Sequence, residues 1–89
     1  MTYAEAAHQV EVLEAAADAA LADYRAAERN LRRPKSPKNR IAFAEASEAH
    51  EIVCDACRAA RDVAEVLYGR ETRAARVEAR NVETQLSLF

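Results

Sequence analysis

The chain has 89 residues, of which 51% are hydrophobic and 31% charged, and its formal net charge is −2. This length allows one small domain and argues against enzymes that need a large pocketed core. The small net charge argues against a dedicated nucleic-acid or membrane-surface binder, since either needs a broad positive field. An Ala-, Glu- and Arg-rich chain with one Gly and no Trp is typical of long helices. We therefore expect an all-α fold and no enzymatic activity.

The first predicted helix begins at Tyr3. Thr2 and Glu5 have the spacing of a capping box, in which each side chain satisfies a free backbone N–H of the other residue. Nothing interrupts the helical pattern until Arg33, which Pro34 pushes out of helical geometry. Small or apolar residues recur every three or four positions and predict a continuous seam along one face: Tyr3, Ala6, Val10, Leu13, Ala17, Ala20, Tyr24, Ala27 and Leu31.

A second helix is predicted from Pro37 to Tyr68. Ser36 is a suitable N-cap and Pro37 a suitable first helical residue, because the N–H that proline lacks would have no partner there. Gly69 stands where the helix is expected to end or bend. One face carries a second predicted seam: Ala42, Ala46, Ala49, Val53, Ala56, Ala60, Val63 and Leu67.

The similar lengths of the two helices predict an antiparallel, coiled-coil-like hairpin. Position numbers that face each other then sum to about 70, so we expect Tyr24 to meet Ala46 and Tyr3 to meet Leu67. Apolar residues are left on the flanks of the seams: Val12, Leu21, Ile41, Phe43, Ile52 and Val66. These residues are candidates for packing against a third helix or a second copy, so a homodimer with a four-helix arrangement is a structural hypothesis.

The residues after Gly69 keep a helical spacing. Residues 70–84 are therefore expected to form a helical arm that overhangs the hairpin of residues 1–69. The arm ends in the pentapeptide Gln85-Leu86-Ser87-Leu88-Phe89. Its three large apolar side chains cannot be buried in a hairpin that they extend beyond. We therefore expect residues 85–89 to be an exposed tail that another protein binds.

This pentapeptide resembles the clamp-binding motif of bacterial replication and repair proteins, whose usual pattern is Gln-Leu-Ser/Asp-Leu-Phe, and all five positions match. A chance match is on the order of one in a million per position. The resemblance implies that the partner is the bacterial sliding clamp, the beta subunit of DNA polymerase III. It implies that Leu88 and Phe89 enter a deep hydrophobic subsite and Leu86 a shallower one. Gln85 then hydrogen-bonds at the pocket edge, and Ser87 is a small spacer.

Clamp binding leaves two roles open. A small protein that carries little besides the motif competes with polymerases for the pocket, as phage-encoded inhibitors do, or it recruits another protein or DNA. We favour the regulator or inhibitor, because the helical body contains no recognisable effector domain. The contrasting function is that of a structural coiled-coil or toxin–antitoxin-type protein acting through its helical flanks. For the pentapeptide, the alternative is docking on the chain's own flank, beside Phe43 or Ile52.

Two groups of basic residues are candidates for weak, nonspecific contact with DNA phosphates. One group lies around the predicted turn and the other along the arm: Arg32, Arg33, Lys35, Lys38 and Arg40, then Arg70, Arg73, Arg76 and Arg80. The interpretation that we favour is a solvated turn and a soluble helix face. No aromatic residues are interleaved with these charges, which argues against base stacking.

His50, Cys54 and Cys57 place three potential zinc ligands on one stripe of the second helix, but a fourth ligand is missing. We interpret the thiols as small hydrophobic groups that pack at a helix flank, and we expect no metal or other cofactor. No stretch approaches the roughly 20 apolar residues of a membrane span, and the N-terminus lacks the pattern of a signal peptide. We therefore expect a cytoplasmic protein with reduced thiols and no membrane partner.

Overall fold

The computed structural model describes residues 1–31 and 36–87, with the backbone alone for Ser87. These residues form two helices, α1 (Tyr3–Leu31) and α2 (Pro37–Ser87), and they include no strand. The molecule is very elongated, with principal extents of 82 × 16 × 13 Å. The predicted all-α class is confirmed, and the arrangement is consistent with a helical hairpin.

Both helices begin where their capping residues predict. The backbone N–H of Glu5 donates to Thr2 Oγ1 at 3.2 Å, and the Thr2 N–H donates to Glu5 Oε1 at 3.4 Å, which completes a capping box. At the start of α2 the Asn39 N–H donates to Ser36 Oγ at 3.1 Å. Each cap satisfies backbone donors that the first helical turn leaves without partners, so these local sequences fix the helix starts.

The face that α1 turns toward α2 is the predicted one. Ala6 and Ala27 are buried, and six other residues of the predicted seam are half-buried: Val10, Leu13, Ala17, Ala20, Tyr24 and Leu31. Tyr3, at the end of the seam, is only partly covered. The spacing of three and four residues along α1 therefore identified the correct side of this helix.

The face predicted for α2 is wrong in half of its positions. Ala46, Val53, Ala60 and Leu67 are half-buried, but the residues that alternate with them are exposed: Ala42, Ala49, Ala56 and Val63. The covered face instead includes Phe43 and His50, which contact the Tyr24 ring, and the buried Cys57 and Ala64. The predicted seam ran along the border of this face because α2 carries small apolar residues on two sides, which makes their periodicity ambiguous.

Contacts between the helices run in antiparallel order. The Tyr3 ring packs on Tyr68 with centroids 5.3 Å apart, and Arg61 Nη2 lies 3.1 Å from Glu14 Oε1. Near the other end of the pair, Asn39 Nδ2 donates to the Asn30 carbonyl at 3.3 Å. These three contacts pair residues from opposite ends of the two sequences, as an antiparallel arrangement requires.

Two register partners differ in detail from the expectation. Tyr3 contacts Tyr68 where Leu67 was expected, and its backbone N–H donates to Glu71 Oε1 at 3.0 Å. Tyr24 packs on Phe43 at 5.3 Å and on His50 at 5.9 Å, whereas Ala46 was expected. The Tyr24 ring packs on the planar rings of Phe43 and His50 because they offer more contact area than the methyl group of Ala46.

Most of the predicted flank residues are exposed. Val12, Ile41, Ile52 and Val66 are among the exposed large hydrophobic residues, while Leu21 is half-buried. Phe43 does not belong with them, since its ring contacts Tyr24. Apolar surface therefore remains on the outer sides of the helix pair.

The predicted helix end at Gly69 is wrong, because α2 runs from Pro37 to Ser87 as one helix. Gly69 has no positive φ, and a Cβ built on it would meet only the end of the Arg73 side chain, at 3.8 Å. No change in the helix marks the predicted boundary between residues 1–69 and 70–84. That division remains a prediction.

Replacing Gly69 with Ala is expected to stabilise the fold by about 0.5–1 kcal/mol. Ala has the higher helix propensity, and the available space accepts its methyl group in ordinary van der Waals contact. Urea unfolding followed by far-UV circular dichroism measures this difference, with Ala75→Gly as the reverse substitution at an exposed helical position. A loss of stability in Gly69→Ala would mean that the fold uses this glycine for a bend.

Candidate partner-binding site

The pentapeptide that resembles a clamp-binding motif begins in the last turn of α2. Gln85 and Leu86 are helical and exposed, and Ser87 is the final residue of the helix. Leu86 has 69% of its surface in contact with solvent. Leu88 and Phe89, assigned to the deep subsite, lie outside the described residues. The first three residues of the predicted tail thus continue the helix, since no Gly or Pro interrupts it there.

The last turns of α2 lie beyond its contacts with α1. Tyr3, the first residue of α1, hydrogen-bonds to Glu71, and all residues from 73 to 86 are exposed. With the rise of an α-helix, Leu86 lies about 22 Å past Glu71 and about 50 Å along the same helix from Ile52. Leu86 is therefore remote from the flank on which the pentapeptide was alternatively expected to dock.

The basic residues do not form one continuous surface. Lys38 and Arg40 are exposed at the start of α2, whereas Arg32, Arg33 and Lys35 lie outside the described residues. The four arginines of the other group are exposed far along the same helix: Arg70, Arg73, Arg76 and Arg80. About 50 Å of helix separates the two groups, so they present two distinct positive regions.

His50, Cys54 and Cys57 lie on the side of α2 that faces α1. Cys54 Sγ is 3.4 Å from His50 Nε2, the His50 ring stacks on Tyr24, and only 4% of Cys57 is exposed. This placement corrects the prediction of thiols at a helix flank, since Cys57 belongs to the contact between the helices. Within residues 1–31 and 36–87, no three or more His, Cys, Asp and Glu side chains are grouped to hold a metal ion.

Charged groups line a groove beside these thiols. Arg61 Nη2 donates to Glu14 Oε1 at 3.1 Å, and Arg58 pairs with Asp55 at 2.9 Å. The hydrogen bond to Glu14 raises the pKa of Arg61, with the neighbouring thiol of Cys57 acting in the same direction. The Arg61–Glu14 pair links the two helices, and an arginine is charged at neutral pH with or without such a partner.

Comparisons with known proteins give this chain no family. In the part of the chain that the structure describes, neither helix combines the length and apolar character needed to cross a membrane. The strongest candidate for a site is the pentapeptide, whose first two residues, Gln85 and Leu86, are exposed. No protein-family model, curated protein or solved structure matches the chain.

Proposed function

We propose that this chain binds the bacterial DNA polymerase sliding clamp through residues 85–89 and thereby regulates or inhibits DNA replication. The observation that carries the proposal is the five-residue match to the clamp-binding pattern. The exposure of Gln85 and Leu86 supports it, because a partner can reach these side chains without disturbing the contact between the helices. The chain then acts as a ligand of the clamp and not as an enzyme.

The helical body serves in this proposal as a carrier for the motif. The two helices form a coiled-coil-like antiparallel hairpin, and residues 70–84 form an arm that holds the tail of residues 85–89 away from it. The exposure of all residues from 73 to 86 supports this division. Because a helix has a fixed rise, such an arm keeps the hairpin about 20 Å from the groove of the clamp.

Binding disturbs little of α2. The last carbonyl groups of a helix have no intrahelical partners, so freeing Gln85 and Leu86 from the final turn breaks few hydrogen bonds. By the resemblance, three apolar anchors enter the clamp: Leu86, Leu88 and Phe89. Their burial contributes about 5–9 kcal/mol in gross terms. The cost of ordering the segment reduces this to a Kd on the order of micromolar.

Competition is the role that we favour. A segment occupying the clamp pocket excludes any other protein that uses the same pocket, whereas recruitment requires a second specific binding surface. Weak contact with DNA phosphates through the basic residues around 32–40 is compatible with either role. The exposed positions of Lys38 and Arg40 permit such contact.

Binding to purified clamp tests the proposal directly. We expect the full chain to bind immobilised clamp with a Kd on the order of micromolar, and a variant that ends at Thr84 to show no saturable binding. Helix content and melting of the shortened chain should stay close to those of the full chain, because Gln85 and Leu86 are exposed.

The same experiment separates the alternatives. Equal binding by the two chains places the interaction on the helical body, and absence of binding by the full chain rejects the clamp as partner. Unfolding of the shortened chain would assign the pentapeptide to the chain's own stability instead.

A further inference from the structure

A second apolar face runs along α2 beside the face that contacts α1. Its residues alternate in steps of three and four, and all of them are exposed: Ala49, Ile52, Ala56, Ala59, Val63 and Val66. The large members leave much of their surface in water, with 60% exposure for Ile52, 48% for Val63 and 52% for Val66. We call this set the outer face. Its heptad spacing is the one that pairs helices.

The hairpin alone leaves an unusually large surface exposed. A compact protein of 9.8 kDa exposes about 5,200 Å², whereas this chain exposes 7160 Å². The buried residues of the described chain, Ala6, Ala27, Cys57 and Ala64, are all small. A standard protein–protein interface buries about 1,200–2,000 Å² in total, so the outer face and its surroundings have room for one.

Charge changes sign along the outer face. Acidic residues stand beside its first part, where Glu48, Asp55 and Asp62 each precede a member of the face. The same alternation of three and four residues then continues into a basic segment with one valine: Arg70, Arg73, Val77 and Arg80. One continuous helix face is thus acid-edged and apolar over residues 48–66 and basic over residues 70–80.

We propose that the outer face of α2 binds the same face of a second copy of this chain in antiparallel orientation. The acid-edged segment of each copy then lies against the basic segment of the other. In a parallel pair the acid-edged segments of the two copies would face each other, and so would the two basic segments. Like charges that face each other are unfavourable. The charge pattern therefore selects both the occupant of the face and its direction.

The apolar side chains fix the register of this pair. When Val63 faces the other copy's Val66, the shared spacing brings Ile52 opposite Val77, so large aliphatic residues meet each other. Arg70 and Arg73 then stand opposite Ala59 and Ala56. Their long stems cross the small alanines, and their guanidinium groups reach the acidic edge.

The edge of the face supports the same register. Asp55 of one copy lies near Arg76 of the other, since both belong to the column of residues that steps by seven from Glu48. The two chains pair through α2, so the assembly has four helices. It leaves one copy of residues 85–89 at each end, and it does not depend on clamp binding.

The oligomeric state of charge-reversed chains tests this inference. Sedimentation or light scattering over about 1–500 µM is expected to show a monomer–dimer equilibrium for the natural chain. Reversing two charges in the basic segment (Arg70→Glu with Arg73→Glu) should raise the dimer Kd about thirtyfold or more. The matched control reverses two exposed arginines of α1, Arg25→Glu with Arg29→Glu, and should leave the Kd close to that of the natural chain.

Mixing two charge-reversed chains tests whether complementary charges restore dimerisation. A second chain carries Asp55→Lys with Asp62→Lys, which makes the edge of its outer face basic like residues 70–80. By itself this chain should also be mainly monomeric. Mixed with the Arg70→Glu, Arg73→Glu chain, it should form a one-to-one heterodimer. Circular dichroism checks that all variants keep their helix content. A monomeric natural chain, or a basic-segment reversal that dimerises as well as the natural chain, overturns the inference.

Discussion

Replacing both Leu88 and Phe89 with Ala is expected to weaken clamp binding about a hundredfold or more. By the resemblance, these side chains fill the deep subsite, and burial of each contributes about 1.5–3 kcal/mol. Their loss leaves Leu86 as the one large apolar anchor, which cannot offset the cost of ordering the segment. Titration calorimetry or surface plasmon resonance with purified clamp measures the change in Kd.

Val82→Ala is the matched control for this variant. Val82 is an exposed aliphatic residue on the same helix, shortly before the motif, so its removal tests whether any loss of apolar surface in this region weakens binding. We expect its Kd to stay within about twofold of the natural value. Binding that survives the double substitution would move the interaction to the helical body, as expected for a coiled-coil partner protein.

The ends of the helices were the most predictable part of the fold. The Thr2–Glu5 pair and the Ser36–Pro37 pair act through hydrogen bonds and backbone geometry within a few residues, so their effects can be derived without knowing the rest of the structure. The covered face of α1 was predictable for a related reason. This helix carries its large seam residues on one side, and their period determines which side is covered.

The covered face of α2 was not predictable from small apolar residues alone. Val53 faces α1 and Ile52 faces solvent, although they are neighbours in sequence and similar in character. The position of the Tyr24 ring, which packs on Phe43 and His50, resolves the choice only when both helices are considered together. On a single helix, His50 and Cys57 were interpreted as potential ligands or flank residues. Their role in the contact between α1 and α2 depends on the partner helix.

The candidate site shows the same distinction. The pentapeptide was identified from local residue types, which do not decide where the helix ends, because Gln85 and Leu86 favour a helix as much as they fit a tail. Ile52 and Val66 were predicted to be available to a second copy, but Ala49, Ala56 and Val63 were assigned to the contact with α1. Their exposure in the folded chain makes them available to a second copy.

Tyr24→Ala is expected to lower the free energy of unfolding by about 2–4 kcal/mol. The ring contacts Phe43 at 5.3 Å and His50 at 5.9 Å, and the buried residues of the helix contact are too small to replace it. A domain of this size has a total stability on the order of 4–13 kcal/mol, so the substitution removes a large fraction of it. Urea unfolding measures the loss, and all variants are compared at one fixed chain concentration so that any association contributes equally.

Two controls assign the effect of Tyr24→Ala to ring packing between the helices. Tyr24→Phe keeps the ring and should cost less than about 1 kcal/mol, and Val12→Ala removes an exposed aliphatic group and should cost less still. A stability equal to that of the natural chain in Tyr24→Ala would show that the aromatic contact does not hold the pair together. The stability of the pair would then have to come from its small buried residues and from association through the outer face, and unfolding would depend strongly on chain concentration.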